Sequence, residues 1–327
     1  MSWRGRRVMV TGAGGFIGSH LTERLLADGA TVTAMVHYNA LGTRGWLEGV
    51  EESSSCRIVA GDITDRDSVR AAMADAEVVF HLAALIAIPY SYRAPASYVR
   101  SNVEGTLNVL LAARELGVQR IVHTSTSEVY GTARYAPIDE EHPLQAQSPY
   151  AATKIGADKL VESFRLSFDV PSVIVRPFNT FGPRQSARAV IPTIISQCLA
   201  RRPVRLGNLR PTRDLNYVAN TVDGFLLAGE KAEALGRTIN LGTGREIAIG
   251  DLAALIARLI GVPSDIQVDP ERLRRDGSEV ERLIASSAVA EQVLGWRPAV
   301  TLEEGLRRTI DWVAANEQHF RPHEHVL

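Results

Sequence analysis

A tyrosine and a lysine four residues apart, Tyr150 and Lys154, could together form a general base. Ser148 can cap a helix at this point, and Pro149 suits its first turn, so both side chains would lie on one helical face. An ammonium beside a phenol favours the phenolate and brings the pKa of the hydroxyl toward the working pH. Such pairs also occur on ordinary helices, where a half-exposed tyrosine beside a solvated lysine has no chemical role.

A glycine-rich turn near the amino terminus is the second stretch with chemical potential. In the run from Thr11 to Gly18, Gly12, Gly15 and Gly18 permit a tight turn and let the backbone approach a pyrophosphate. A predicted strand precedes the turn and a predicted helix follows it, so free N–H groups at the helix start would face the phosphates. The turn therefore predicts a dinucleotide site; the alternative is a tight turn without a nucleotide.

These residues sit in an alternation of short β-branched runs and longer helical patterns, which is typical of a parallel sheet with helices on both faces. The predicted strands are Arg7–Thr11, Thr31–Val36, Arg57–Ala60, Val78–Leu82, Arg120–Thr124 and Ser172–Arg176, and the predicted helices lie near Gly15–Asp28, Asp65–Ala74, Pro95–Leu116 and Pro149–Phe168. We predict a doubly wound parallel α/β (Rossmann) sheet in residues 1–178, with a return segment at about 218–242. Residues 179–327 would form a smaller α/β substrate-binding lobe. Such sheets bind ligands beyond the carboxyl ends of their strands.

Composition narrows the class of protein. The 327 residues are 45% hydrophobic, which is enough for a large core, and the formal net charge of -1 gives no basic surface for nucleic acid. Cys56 and Cys198 are far apart in sequence and lack metal-ligand spacing, so we expect buried thiols in a reducing cytoplasm rather than a disulfide or a metal site. No apolar run is long enough to span a membrane, and no secretory leader is evident, so we expect no membrane partner.

The spacing Gly-x-x-Gly-x-x-Gly, with Tyr150-x-x-x-Lys154, resembles the extended short-chain dehydrogenase/reductase superfamily and its NAD-dependent epimerase/dehydratase family. The match continues through Gly61-Asp62-Ile63, His81-Leu82-Ala83-Ala84 and Ser101–Thr106, and it covers nearly the whole chain. The resemblance implies a nicotinamide cofactor, NAD or NADP, bound by Gly12, Gly15, Phe16, Ile17, Gly18, His37, Asp62, Ile63, Leu82, Ala83, Ala84, Asn102, Thr124, Tyr150, Lys154 and Pro177.

One expected feature of an NAD site is missing. The end of the second predicted strand usually carries an acid for the ribose hydroxyls, but here Val36 stands in that position. The neighbouring His37 and Arg44 could accept a 2′-phosphate, or His37 could be an ordinary surface residue. The sequence favours NAD and leaves NADP open.

The triplet Thr126-Ser127-Glu128 follows the fifth predicted strand. It resembles that of nucleotide-sugar 4,6-dehydratases, above all those acting on GDP sugars; UDP-glucuronate decarboxylases share it, whereas simple 4-epimerases lack the glutamate. The resemblance implies that Thr126 orients the sugar O4 for Tyr150 and that Glu128 removes the C5 proton. Ser127 cannot donate a proton, so Glu128 would also protonate the leaving C6 hydroxyl. The implied product is a 4-keto-6-deoxy sugar, with decarboxylation or epimerisation as alternatives. A nucleotide-sensing module without chemistry is disfavoured because Thr126, Tyr150 and Lys154 are all present.

The second half carries the implied contacts to a nucleotide-diphosphate sugar, linked to GDP, UDP or dTDP. Those residues are Tyr90, Asn179, Arg188, Val190, Arg213, Arg274 and Glu279. Within the dehydratases, the runs His37–Glu48 and Gln185–Pro192 resemble a GDP-N-acetylglucosamine subgroup of legionaminic acid biosynthesis. Small residues such as Ala151 and Ala157, on helices that pair between subunits in this family, predict a homodimer; packing within one chain is the alternative.

Overall fold

A seven-stranded parallel sheet forms the centre of the computed structural model, which describes residues 3–320 apart from the side chain of Asp276. Its strands are β1 (Arg7–Thr11), β2 (Thr31–His37), β3 (Cys56–Gly61), β4 (Val78–His81), β5 (Arg120–Thr124), β6 (Ser172–Pro177) and β11 (Thr238–Leu241). Their spatial order is β11-β6-β5-β4-β1-β2-β3, and every neighbouring pair is parallel. The predicted doubly wound α/β fold is confirmed, and all six predicted strands are present within one residue at each end.

Helices cover both faces of the sheet. They are α1 (Phe16–Ala27), α2 (Arg66–Met73), α3 (Ile88–Arg93), α4 (Pro95–Tyr98), α5 (Gly105–Leu116), α6 (Pro149–Phe168), α7 (Val190–Leu199), α8 (Val218–Glu230), α9 (Ile249–Ile260) and α10 (Leu302–Ala315). Leu21 of α1 and Phe225 of α8 pack in the core on one face, whereas Val109 of α5 and Val161 of α6 belong to the core on the other face. The strands are buried on both sides, which explains their nearly continuous apolar sequence.

The order of connections reverses between β1 and β4, since β2 and β3 extend one way and β5 and β6 the other. Loops leaving the two strands therefore diverge and open a crevice at the carboxyl edge of the sheet. The glycine turn follows β1, and Leu82 follows β4, so both line this crevice. The topology thus places the predicted dinucleotide residues at one site.

The predicted continuous helix from Pro95 to Leu116 is wrong in its middle. A π-helical segment, Val99–Glu104, separates α4 from α5. Apolar periodicity does not reveal such a segment, and these insertions are frequent at functional sites. Here the segment contains Asn102, whose side chain makes three hydrogen bonds described below.

The remaining strands form three small sheets. These are β7 (Thr180–Phe181) with β10 (Asn216–Tyr217), β8 (Val204–Leu206) with β13 (Ile266–Val268), and β9 (Thr212–Asp214) between β12 (Glu246–Ala248) and β14 (Arg282–Leu283). Division of the chain into two lobes at residue 178 stays a prediction. Both cysteines are buried and unpaired. Within residues 3–320, no helix has the length and apolar character that crossing a membrane requires.

Candidate active site

The glycine turn after β1 forms a cradle that only glycine permits. Gly12 has a φ of +69°, and a Cβ there would lie 2.8 Å from the main-chain nitrogen of Ala83. A Cβ on Gly18 would collide with the carbonyl oxygen of Gly12. No side chain caps the start of α1 and no acidic residue lies in its first turn, so its N–H groups remain available to an anion. A dinucleotide pyrophosphate fits this cradle, with Gly15, Phe16 and Ile17 at the helix start.

Thr11, at the end of β1, is hydrogen-bonded to the residues that follow β4 and so ties the ends of these two strands together. Its hydroxyl oxygen accepts hydrogen bonds from the main-chain nitrogens of Leu82 and Ala83, each at 3.1 Å. Nδ1 of His81 lies 2.9 Å from the same oxygen. Leu82, Ala83 and Ala84 are consequently held half-exposed opposite the glycine turn, where the sequence predicts cofactor contacts.

The predicted adenosine end lies beyond β2 and β3. Val36 is buried and His37 is exposed, while Asp62 is half-buried and accepts a hydrogen bond from the Thr64 nitrogen. Ile63 is buried against Gly105 of α5. A guanidinium nitrogen of Arg44 lies 3.4 Å from a carboxylate oxygen of Glu52, and both side chains are exposed, so this pair is weak.

An aromatic cluster holds the loop after β2 in place. The nitrogen of Trp46 donates to the carbonyl of Gly14 at 2.9 Å, so this loop contacts the glycine turn directly. The Trp46 ring packs edge-on against Trp312 of α10 and against His319. The carboxyl-terminal helix therefore supports the cofactor loop from behind.

Asn102, predicted to bind the cofactor, is a buried brace. Its oxygen accepts a hydrogen bond from the Leu85 nitrogen at 2.8 Å, and its amide nitrogen donates to the Leu85 carbonyl and to the Thr153 hydroxyl, each at 3.0 Å. These bonds occupy both ends of the amide and tie the segment after β4 to α6. The side chain is almost wholly enclosed, which indicates a structural role, and its contact with the cofactor stays a prediction.

The two catalytic candidates of α6 face the end of β5. Ser148 caps the helix through a hydrogen bond from the Ala151 nitrogen, as predicted, and the helix brings Tyr150 and Lys154 onto one buried face. Tyr150 is 7% exposed and Lys154 is 3% exposed. The Lys154 ammonium donates to the Thr124 carbonyl at 2.6 Å. Thr126 hydrogen-bonds to the Tyr150 hydroxyl and accepts a bond from the Glu128 nitrogen at 3.2 Å.

The expected effect of Lys154 on Tyr150 needs correction. Burial raises the pKa of Tyr150 well above its usual range; the hydrogen bond from Thr126 lowers it, and the nearby carboxylate of Glu128 raises it further. Burial also lowers the pKa of Lys154 to about 8, although the anionic Asp158 opposes this effect. The protein interior alone therefore keeps Tyr150 a phenol. A phenolate requires additional positive charge at the site, which an oxidised nicotinamide carries.

Glu128 is a buried carboxylate beside Tyr150. It is 9% exposed, and Ser127 beside it is also buried. Its charge raises the pKa of Arg213 on β9, whereas burial, the larger effect, lowers that pKa. An arginine Nη of Arg213 lies 3.5 Å from a Glu279 oxygen, and Arg274 lies 3.8 Å from the same oxygen. Glu128 thus faces a group of two cations and one anion contributed by the second half of the chain.

The other predicted substrate residues occupy varied positions. Tyr90 is 42% exposed on α3, Arg188 is exposed, and Val190 begins α7. Pro177 ends β6, and the side-chain oxygen of Asn179 just beyond it is buried without a hydrogen-bond partner. That orphaned acceptor, close to the strand end, suits a ligand that donates a hydrogen bond.

The decarboxylase alternative needs a cation for the sugar carboxylate, which Arg184 or Arg188 could supply; of these two, Arg184 is engaged elsewhere. Its guanidinium donates to Glu23 at 2.8 Å and to the Ser19 hydroxyl at 3.2 Å, both on α1. The residue also has a φ of +69°, which holds this backbone against the helix. Arg184 therefore joins the Pro183–Arg184 turn to the cofactor helix.

The sequence reasoning missed a buried ionic network behind Lys154. Asp158 lies one turn further along α6 and contacts Ser125, His123 and Arg176. The signal was available as spacing, because a residue four positions after Lys154 must share its helical face. Tyr98 was missed as well; its ring packs edge-on against Tyr150 with centroids 6.3 Å apart.

Comparison with known proteins accounts for this arrangement. Residues 9–309 match the model of the GDP-mannose 4,6-dehydratase family. The chain belongs to that family. It lies within the extended short-chain dehydrogenase/reductases, in the NAD-dependent epimerase/dehydratase superfamily, as the sequence motifs predicted. It is accordingly an enzyme of the nucleotide-sugar dehydratase/epimerase type.

Relatives within the superfamily include both reaction types. A UDP-glucose 4-epimerase of Mycolicibacterium smegmatis is 36% identical over 95% of this chain and 100% of its own. A dTDP-glucose 4,6-dehydratase of Streptomyces antibioticus is 33% identical over 96% and 94%. The solved structure of DesIV, a dTDP-glucose 4,6-dehydratase of Streptomyces venezuelae with NAD and TYD bound, superposes with a TM-score of 0.90 and 29% identity, covering 97% of this chain and 99% of that one.

The homodimer stays a prediction, and its argument from small residues is weakened. Ala151 and Ala157 are buried within the single chain, whereas Ala152 is exposed and Gly156 half-buried. Two of the four small residues on α6 therefore serve internal packing. A monomeric mass in solution at micromolar concentration would overturn the prediction.

Proposed function

We propose that this enzyme is an NAD-dependent nucleotide-diphosphate-sugar 4,6-dehydratase. The single observation that supports it is Glu128, a buried carboxylate beside Thr126 and Tyr150 that an epimerase reaction would not use. Burial of a carboxylate costs free energy because the group loses its hydration. A role in proton transfer best explains why the site contains one. With Arg184 engaged by Glu23 and Ser19, the decarboxylase alternative would depend on Arg188 as the cation for the sugar carboxylate.

NAD would be held at its pyrophosphate by the turn Gly12–Gly18, at its adenine by Asp62 and Ile63, and at its nicotinamide ribose by Lys154. When bound, it supplies a cationic ring that takes a hydride from the sugar and later returns it. NAD is favoured over NADP because the similar solved structure of DesIV holds NAD.

The residues of this chain would then act in sequence. Tyr150 removes the proton from the sugar O4 during oxidation at C4, while Thr126 orients that hydroxyl. The resulting ketone acidifies the neighbouring C5–H bond, and Glu128 removes this proton. Glu128 then protonates the departing C6 hydroxyl, because Ser127 has no acidic proton to give. Return of the hydride to C6 and addition of a proton at C5, which balances the proton that Tyr150 took from O4, would complete the 4-keto-6-deoxy sugar without net oxidation.

Arg213 and Arg274 would bind the diphosphate together with the amide nitrogen of Asn179, which can donate to it, whereas the orphaned oxygen of Asn179 would accept from a hydroxyl of the ligand. A doubly charged ligand would replace Glu279 as the partner of the two arginines, and bidentate contacts suit guanidinium groups. Tyr90, Arg188 and Val190 would lie toward the sugar and base. The base, whether guanine, uracil or thymine, and the GDP-N-acetylglucosamine subgroup are to be decided by assay.

The test is incubation with a panel of GDP-, UDP- and dTDP-sugars followed by product mass. Loss of water supports the dehydratase, loss of carbon dioxide indicates a decarboxylase, and an unchanged mass with altered configuration indicates an epimerase. Replacement Glu128→Gln sharpens the result: C4 oxidation does not need Glu128, so reduced nicotinamide should accumulate on the enzyme while water loss stops. Glu140→Gln, which alters a half-buried carboxylate outside the site, is the matched control. Unchanged dehydration by Glu128→Gln would remove Glu128 from the scheme.

A further inference from the structure

A buried carboxylate that the proposed reaction does not use lies one helical turn after Lys154. Asp158 is fully buried. One of its oxygens accepts hydrogen bonds from the Ser125 hydroxyl at 2.8 Å and from two guanidinium nitrogens of Arg176 at 3.2 and 3.0 Å. Its other oxygen lies 3.4 Å from Nε2 of His123. Three strand-end residues from β5, its following loop and β6 therefore converge on this one side chain.

Two partners of Asp158, His123 at the end of β5 and Ser125 just after it, are the chain neighbours of Thr124, whose carbonyl accepts a hydrogen bond from Lys154. Side chains alternate along an extended chain, so His123 and Ser125 point to the same side, and both meet Asp158. Thr124 lies between them, and its carbonyl oxygen accepts the Lys154 ammonium at 2.6 Å. Asp158 thereby fixes the short segment whose backbone positions the lysine.

Asp158 also supplies the negative charge that balances the buried cations behind the site. It is the anion between two buried cations, Lys154 on its own helix and Arg176 on β6. Two histidines face the same space, His123 on β5 and His81 on β4, and burial together with the Lys154 charge lowers the pKa of each.

The remaining ionisable groups near Lys154 and Asp158 lie on the substrate side or beyond Arg176. They are Tyr150 on α6, Tyr98 on α4, Glu128 after β5, and Tyr130, whose hydroxyl accepts a bond from Arg176 at 2.9 Å. Among all these groups, Asp158 is the one whose charge directly opposes the effect of burial on Lys154.

We propose that Asp158 is a positioning residue that keeps Lys154 protonated and directed at the cofactor and Tyr150. The inference rests on the proposed function, in which Lys154 holds the nicotinamide ribose, and on the expectation that the ammonium of Lys154 favours a phenolate at Tyr150. A neutral residue at 158 would leave two buried cations without their shared anion, so the lysine would release its proton at lower pH. A neutral lysine could no longer favour a phenolate at Tyr150.

Direct titration of Lys154 tests this proposal without any substrate. The chain contains only three lysines, Lys154, Lys159 and Lys231, and the latter two are exposed. In protein labelled with ¹³C at the lysine ε-carbon, the Lys154 signal can be assigned by Lys159→Arg and Lys231→Arg. We expect Asp158→Asn to lower the pH at which this signal titrates by at least about one pH unit.

Matched variants separate charge from packing. Ser125→Ala removes a hydrogen bond to Asp158 but keeps its charge, so the Lys154 titration should move little. Asp158→Asn combined with Arg176→Met removes both members of the buried pair, which relieves the unpaired guanidinium and supports folding. The Lys154 titration should stay lowered in this double variant.

An unchanged Lys154 titration in the folded single or double variant would overturn the proposal. A lowered titration together with normal turnover and an unchanged upper pH limit of kcat/KM would also contradict it, since the lysine charge would then be irrelevant to catalysis. Failure of the proposed function has a different signature: sugar panels would yield no dehydration product while the titration of Lys154 still moved with residue 158.

Discussion

The stability of the fold should fall in mild acid because a buried histidine is held neutral. Burial and the positive charge of Lys154 lower the pKa of His123, which Asp158 raises, and the net result is a pKa lowered from 6.5 to about 4. The unfolded chain therefore binds a proton at higher pH than the folded protein, so stability is full above pH 6.5 and is lost as pH falls toward 4. For these two pKa values, linkage gives a loss of about 2 kcal/mol in unfolding free energy between pH 8 and pH 5.

Urea unfolding followed by far-UV circular dichroism at pH 8 and pH 5 measures this loss. His123→Gln cannot titrate, so its unfolding free energy should fall by about 2 kcal/mol less than that of the wild type over the same interval. His81 acts in the same direction and remains in both proteins, so the difference between them reports on His123, including the effect of its charge on the pKa of His81. His37→Gln, which alters an exposed histidine, is the control and should follow the wild type. Equal losses in His123→Gln and wild type would refute the reasoning.

Two further predictions concern the site. Tyr150→Phe removes the hydroxyl that would act as general base, so turnover should fall by roughly 10²- to 10⁴-fold while NAD binding, followed by calorimetry, persists; normal turnover would exclude Tyr150 as the base. Gly12→Ala places a Cβ 2.8 Å from the Ala83 nitrogen at a φ of +69° and should abolish NAD binding in the same assay. Gly49→Ala, where no atom lies within 4 Å, is its control, and tight NAD binding by Gly12→Ala would contradict the cradle.

Patterns local in sequence predicted most of the architecture. Helix α6 runs from Pro149 to Phe168, as predicted, because a capping serine and a first-turn proline mark its start. The sheet followed from the alternation of strands and helices, since parallel strands need long crossovers. The π segment 99–104 was not predictable in this way, because it depends on the tertiary hydrogen bonds of Asn102 rather than on apolar spacing.

Features of the site that depend on how deeply a residue is buried could not be predicted from the sequence. Tyr150 and Lys154 were identified by spacing, but the direction of the Tyr150 pKa reflects how deeply α6 packs against β5. The engagement of Arg184 with α1 likewise joins residues more than 150 positions apart. Asp158 was one helical turn from a singled-out residue, yet its importance appears only when His123, Ser125 and Arg176 are seen around it.

The contact of Trp46 with Trp312 and His319 has a consequence for biosynthesis. The loop after β2 is translated early, but the aromatic rings that support it belong to the last described helix and the residues after it. A nascent chain on the ribosome therefore contains the glycine turn long before the aromatic residues that pack behind the Trp46 loop have been synthesised. Affinity for the cofactor should therefore mature only after Trp312 and His319 have been synthesised and have packed against Trp46.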